Sequence, residues 1–369
     1  PNHPEMLASL ARLYTGTEQW PDLLDVLRVQ ADDAQGGAKV ELLHHSGSVL
    51  EAHVGDVHEA IECYRAALEI DPTHAASLAA MMRIVRMEEH RERAAEIVEP
   101  LLRAQNRWDD AAVVLALRAE STSDPVDKRD RFRELAAVHE SGRGDKRAAF
   151  DAMRAALAED ASEASVIDDV ERLGTELGAF SDVADAFAMR ASSAPDPDTA
   201  SGLYIRVARI AEDKLSDDAR AIEANERALE QVGDDANILA SLDRLYTRMD
   251  QAPDLGRILE RRIDATQDPS ERSGYSLRLG ALRRDRFHDL RGAYSAFQEV
   301  LEVDPANSDA IGALEGLAAE SSLAADVVET LDAAHRRTGA LDRLPALFDI
   351  RHGLAETAGE KVRILQDRA

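Results

Sequence analysis

The chain has 369 residues, 44% apolar and only 4% aromatic, a balance that lets it fold throughout. Its net charge of −27 (44 basic against 71 acidic residues) argues against nucleic acid and anionic membrane as general partners, which need a basic footprint, and favours basic or neutral proteins. The single cysteine, Cys63, excludes an internal disulfide, and there is neither a run of 18 apolar residues nor a signal-like opening in PNHPEMLASL, so a cytoplasmic location is favoured.

Helical periodicity dominates and no strand pattern persists. In chain order the spacing predicts helices over 4–14, 19–32, 38–53 and 56–70. The last of these puts Ala60, Ile61, Tyr64, Ala67 and Leu68 on one apolar stripe, with Asp56 at the N-cap and Pro72 beyond the end. Next come 73–87, 90–104, 107–121, 126–140, 145–159 and 162–177. The pattern continues through 181–193, 198–213, 217–231, 235–249, 253–266 and 269–285. In 289–303, Asp289 caps, Ala293, Phe297, Val300 and Leu301 face inward, and Pro305 stops the helix. Helices over 307–318, 323–336, 340–356 and 360–368 complete a set of about twenty. The joints are short, so sequential helices are expected to be antiparallel neighbours.

A repeat of about 72 residues runs through these elements. Asp22, Asp110, Asp182, Asp254 and Asp326 stand 88, 72, 72 and 72 residues apart, each followed five positions on by Leu27, Leu115, Phe187, Leu259 or Leu331. Ala60, Ala149, Ala221 and Ala293 form a second ladder. Four residues before each stands Asp56, Asp145, Asp217 or Asp289, and thirteen before each stands Gly47, Ala136, Ala208 or Gly280. Fixed periods of this kind mean stacked units that are each too small to bury their own apolar face.

The stretch GDVHEAIECYRAALEIDP at 55–72 resembles the second helix of a tetratricopeptide repeat, with Ala60, Tyr64, Ala67 and Pro72 at the signature places. Ala293, Phe297 and Pro305 match again, whereas Ala149 and Ala221 have Met153 and Asn225 at the aromatic place. The first helix lacks the signature tryptophan, and its small residue lies one position further from the alanine than in a standard copy. Copies around Trp20, Trp108 and Phe180 are more degenerate. The resemblance implies an all-α, right-handed solenoid of antiparallel hairpins, continuous over 1–369, that binds segments of partner proteins on its concave face.

By that resemblance, the groove-facing positions of the first helices fall on Glu41, His44 and Glu51, then on Arg133, Glu140, Arg209, Glu212 and Arg284. Glu51, Glu140 and Glu212 share one repeat position and would form an acidic ladder for a basic or extended peptide. The plainer reading is a row of exposed helix formers. The carboxylate-grasping subtype needs inward lysines and asparagines, which do not recur here. Catalytic and cofactor signatures are absent, and no cofactor is assigned. Glu41, His44 and His45 lie at i, i+3, i+4, with His53 and His58 nearby, a spacing that metal ligands use; a polar helix face is the plainer reading, and no metal is assigned. Cys63 reads as a partly buried structural thiol.

The functional reading is a non-enzymatic scaffold holding a protein or peptide partner along an extended surface, without nucleic acid or membrane insertion. The alternative is a spacer or assembly segment of a larger protein. Two further expectations concern the array. It lacks an initiator methionine and ends on an apolar stripe of Val362, Ile364 and Leu365, as an excerpt would, or as a chain that self-associates through uncapped ends. The 16 extra residues of the first interval also predict a bend within 73–122, separating 1–87 from 106–369.

Overall fold

Four aspartates recur at the repeat spacing, each starting the second helix of one hairpin. Asp56, Asp145, Asp217 and Asp289 accept hydrogen bonds at 2.9–3.0 Å from the backbone N–H of Glu59, Ala148, Arg220 and Gly292. Each bond satisfies one of the donors that a helix start leaves without an internal partner. The cap ladder expected from the spacing is therefore a real capping device.

A computed structural model describes residues 4–161, 163–320, 323–355 and 357–368. Among the described residues there is no strand, and 21 α-helices form two compact units, 1–190 and 191–369. The first unit holds α1 Pro4–Gly16, α2 Trp20–Asp33, α3 Gly37–Val49, α4 Val57–Ile70, α5 Ala75–Ile84 and α6 Arg91–Ala104. It continues with α7 Trp108–Ser121, α8 Pro125–Ala137, α9 Lys146–Glu159, α10 Ala164–Leu177 and most of α11 Phe180–Ser193. The second unit holds α12 Pro197–Ile210, α13 Asp218–Val232, α14 Ala236–Arg248, α15 Ala252–Ala265 and α16 Pro269–Leu282. After these come α17 Leu290–Val303, α18 Ser308–Glu320, α19 Ala324–Thr338, α20 Leu344–Leu354 and α21 Ala358–Arg368. Within each unit, helices pack on their neighbours in sequence as hairpins of an α-solenoid. The closest pairs are α3 with α4, α8 with α9, α12 with α13, and α16 with α17.

Small residues explain those close pairs. A Cβ placed on Gly47 would lie 2.6 Å from the Tyr64 ring, and one on Gly280 would lie 2.6 Å from the Phe297 ring. Tyr64 and Phe297 are fully buried against these bare backbones. In the other two copies the small residue is alanine, Ala136 or Ala208, and the position facing it holds the buried but slimmer Met153 or Asn225. Size on one helix is traded against size on the other, as close packing requires.

The first helices depart from their expected form. Rather than running on as α-helix to 53, 140, 213 and 285, α3, α8, α12 and α16 each pass into a five-residue π turn. These turns are Leu50–Val54, Val138–Gly142, Ala211–Leu215 and Arg283–Phe287. A π turn closes an i→i+5 bond and takes up one inserted residue, which accounts for the thirteen-residue spacing. The Gly55 N–H reaches Leu50 O at 2.8 Å, and the Arg143 N–H reaches Val138 O at 3.1 Å. Gly55, at φ 80°, makes the left-handed exit that glycine allows without strain.

The irregular first interval contains one added helix. α5 is shorter than expected, ending at Ile84, and a 3-10 turn, Glu88–His90, leads into α6, which continues through Pro100. Buried Arg118 on α7 ties α6 down, binding Glu92 and, at 2.5 Å, Glu99. Near the other end, Val362 is exposed and Ile364 packs on a core that includes Leu331 and Leu344; the Leu365 side chain lies outside the described residues. No helix among the described residues is long and apolar enough to cross a membrane.

Candidate partner-binding face

The π turns place the expected carboxylates beside the next hairpin, and an arginine meets each one. In the first unit, Arg83 of α5 donates to Glu51 from Nε at 2.9 Å and Nη2 at 2.6 Å. The Tyr64 hydroxyl donates to the same carboxylate at 2.9 Å. Arg172 of α10 grips Glu140 through Nη1 at 2.8 Å and Nη2 at 3.0 Å. In the second unit, Arg244 and Arg248 of α14 both bind Glu212. Arg83, Arg172 and Arg244 stand 89 and 72 residues apart, the same steps as the glutamates.

The acidic ladder therefore needs correcting: its positions recur, but its carboxylates are occupied. The Glu51 side chain is only 10% exposed and that of Arg83 is 56% exposed; for Glu212 and Arg244 the figures are 14% and 55%. At these two positions guanidinium groups are presented with the carboxylates recessed behind them, while Glu140, at 32%, stays partly open beside Arg172, at 42%. Burial raises the Glu51 carboxyl, yet the hydrogen bonds from Arg83 and Tyr64 outweigh it and leave the group below its ordinary value. At Glu212 burial is likewise overcome by Arg244 and Arg248. The fourth copy breaks the pattern. Arg284 replaces the glutamate, Gly316 replaces the arginine, and Arg284 pairs with its own neighbour Asp285 at 2.6 Å.

The remaining expected residues occupy separate settings. Arg133 meets Glu163 at 2.9 Å across the next hairpin. Arg209 is exposed on α12. Glu41 is exposed and lies 3.4 Å from His74 Nε2. His44 packs near the Tyr64 and His74 rings, and its Nδ1 is 3.3 Å from the Ser77 hydroxyl. His74 Nδ1 is 2.8 Å from that same hydroxyl. Glu41, His74 and Ser77 thus follow one another like an acid–base–hydroxyl chain, but Ser77 is fully buried and offers no approach to a substrate. The other histidines do not converge. His53 stacks on Trp20 with centroids 3.7 Å apart, and His45 and His58 are exposed. Among the described residues no three His, Cys, Asp or Glu side chains are grouped to hold a metal.

A second arginine ladder escaped the sequence reading. Arg118 and Arg262 stand two 72-residue steps apart on α7 and α15. Arg262 binds buried Asp243 and lies over the Tyr275 ring at 4.1 Å, and Arg278 also grips Asp243, at 2.6 and 2.7 Å. Burial raises the Asp243 carboxyl, but the two arginines more than offset it. The 72-residue steps from Arg118 through Arg190 to Arg262 were the available signal.

These repeated hairpins and cross-hairpin pairs define a tetratricopeptide-like helical-repeat protein. No family model matches the sequence, and no curated protein matches it. Solved structures similar to it include the TPR2AB-domain:pHSP90 complex of yeast Sti1, at 14% identity and TM-score 0.23, covering 81% of this chain and 99% of that one. A tetratricopeptide repeat protein from Parabacteroides merdae is similar at 12% identity and TM-score 0.23, covering 76% and 99%. The human IFIT1 dimer with PPP-AAAA is similar at 12% identity and TM-score 0.30, covering 95% and 83%.

Proposed function

We propose that this chain is a non-enzymatic scaffold that binds an extended segment of a partner protein along its first-helix face. The observation that carries this reading is the recurrence of one exposed arginine, held by a glutamate, at a single repeat position in three copies. In the first and third copies the guanidinium is fixed along one edge by a carboxylate and keeps N–H donors for backbone carbonyls of an extended segment; Arg172 is held by Glu140, Asp169 and Glu176 together and offers its exposed charge instead. The net charge of −27 favours a partner that is basic or neutral as a whole. Glu41, His44, Arg133, Arg209 and Arg284 extend this face within their own units.

The test is a set of charge-swapped pairs, Glu51→Arg/Arg83→Glu, Glu140→Arg/Arg172→Glu and Glu212→Arg/Arg244→Glu. Each keeps an ion pair but reverses which charge is presented. Quantitative affinity capture, with partners identified by mass spectrometry, should lose specific partners when the three swaps are combined. An identical partner set would count against a binding face and favour the spacer reading.

A further inference from the structure

In the second unit a cleft of about 460 Å³ opens between α17 and α19. The third copy of the repeat shows one way in which this place is filled. One step earlier, between α13 and α15, Arg257 reaches Glu226 at 2.6 Å, and Arg261 and Arg262 follow on the same helix. Moving 72 residues on, Glu226 becomes Gln298, Arg257 becomes Glu329, and Arg261 and Arg262 become Ala333 and Ala334. Arg262 turns away to Asp243 and Tyr275, so on the α13 side two long cationic side chains, Arg257 and Arg261, are exchanged for one carboxylate and one methyl group.

The space is both vacated and reversed in charge. Glu302, Asp326 and Glu329 line it, and among the described residues none of these carboxylates has an ion-pair partner. Arg337, the one cation in the lining, is turned to the backbone, donating to Leu301 O and Glu302 O at 3.2 Å. The Tyr294 hydroxyl is committed to Thr330 at 2.9 Å, which fixes one wall. Gln298 remains as a neutral acceptor and donor where the third copy has its glutamate. The cleft is of ligand-site size and lies on the faces of the second helices, away from the ladder at the ends of the first helices.

We propose that this cleft receives an arginine side chain from a basic segment of the partner, which replaces the guanidinium that the third copy supplies from within. The proposal rests on the scaffold reading and names the partner chemistry for one further contact. A guanidinium fits because the same backbone setting in the third copy already holds one against a carboxylate.

The experiment measures binding of a fluorescently labelled hexa-arginine peptide by polarisation at physiological salt, with hexa-lysine alongside. Gln298→Glu/Glu329→Arg restores the internal pair, and Ala333→Trp fills the cleft without changing charge. Glu315→Gln, at an exposed position of α18, matches the first variant's net change of one positive charge. Hexa-arginine should bind the parent chain saturably and more tightly than hexa-lysine. Both cleft variants should weaken it by about tenfold or more, roughly one buried pair's worth, and Glu315→Gln should leave it within about twofold. Circular dichroism confirms that each variant is folded, and two chemically different variants guard against a local packing failure. The proposal is overturned if hexa-arginine fails to saturate, if hexa-lysine binds equally, or if a folded cleft variant binds like the parent. Such a result, with partners still lost on swapping the first-helix pairs, removes the cleft and leaves the scaffold reading standing.

Discussion

Arg172 grips Glu140 with both terminal nitrogens, joining α10 to the π turn behind α8. Both side chains stay partly open to water, so the pair contributes little to stability. Arg172→Ala should cost about 1 kcal/mol or less. Asp243 differs, because it is buried and holds Arg262 and Arg278 together. Asp243→Ala strands two guanidiniums and should cost about 3–5 kcal/mol. Urea midpoints of the two variants check this; a larger loss for Arg172→Ala would overturn the assignment.

Stability should fall as mild acid is approached. Burial and the nearby His74 hold the His44 imidazole below its ordinary value, and burial and Arg143 do the same for His139. The folded state therefore disfavours protonation, and the unfolded chain takes up protons first as pH drops. This contribution is complete above about 6.5 and is lost as pH falls through that value towards the folded ones. The lowered carboxyls of Glu51 and Glu212 act later, below about 4.3, with the same sign. The urea midpoint should decrease from about pH 7.5 to about pH 5.5, and His44→Asn/His139→Asn should flatten the slope. An unchanged slope in that variant would sink the histidine account.

The helices, the caps and the small positions were legible because each rests on local chemistry. Asp56, Asp145, Asp217 and Asp289 cap within three residues of themselves, and Gly47 and Gly280 recur at a fixed offset from Tyr64 and Phe297. The glutamates could be placed on one face but not paired, since each partner arginine lies 32 residues away on the next hairpin. The arginine ladder repeats with the same steps, so the pairing was written in the sequence for a reading that compared two helices at once. The π turns left only the thirteen-residue spacing as a trace, and a count of residues does not say which turn widens.

Cys63 should be slow to react although it is not fully enclosed. Burial, then Glu59, pushes its thiol up to about 11. At pH 8 the thiolate fraction would be about a hundredfold below that of an ordinary cysteine. Reaction with a chromogenic disulfide reagent should be at least about tenfold slower than for the same chain in denaturant. Equal rates would show that the thiol is neither buried nor perturbed.

The small-residue trade between paired helices can be tested as a coupling. Gly280→Ala places a methyl 2.6 Å from the Phe297 ring, a distance the packed core cannot hold. The ring is buried and must shift, so the change should cost about 1–3 kcal/mol despite alanine's better helix propensity. Phe297→Met alone leaves the bare backbone of Gly280 underfilled and should cost about 1 kcal/mol or somewhat more. Together, Gly280→Ala and Phe297→Met rebuild the combination that the second copy already uses, Ala136 with Met153. The methyl then fills the space the ring gives up. The double variant should therefore be more stable than the sum of the single losses by at least about 1 kcal/mol. Phe297 is the better place for this cycle than Tyr64, whose hydroxyl also binds Glu51 and would mix a lost hydrogen bond into the result. Additive losses in urea titrations would show that the two copies merely differ, with no exchange of volume between the helices.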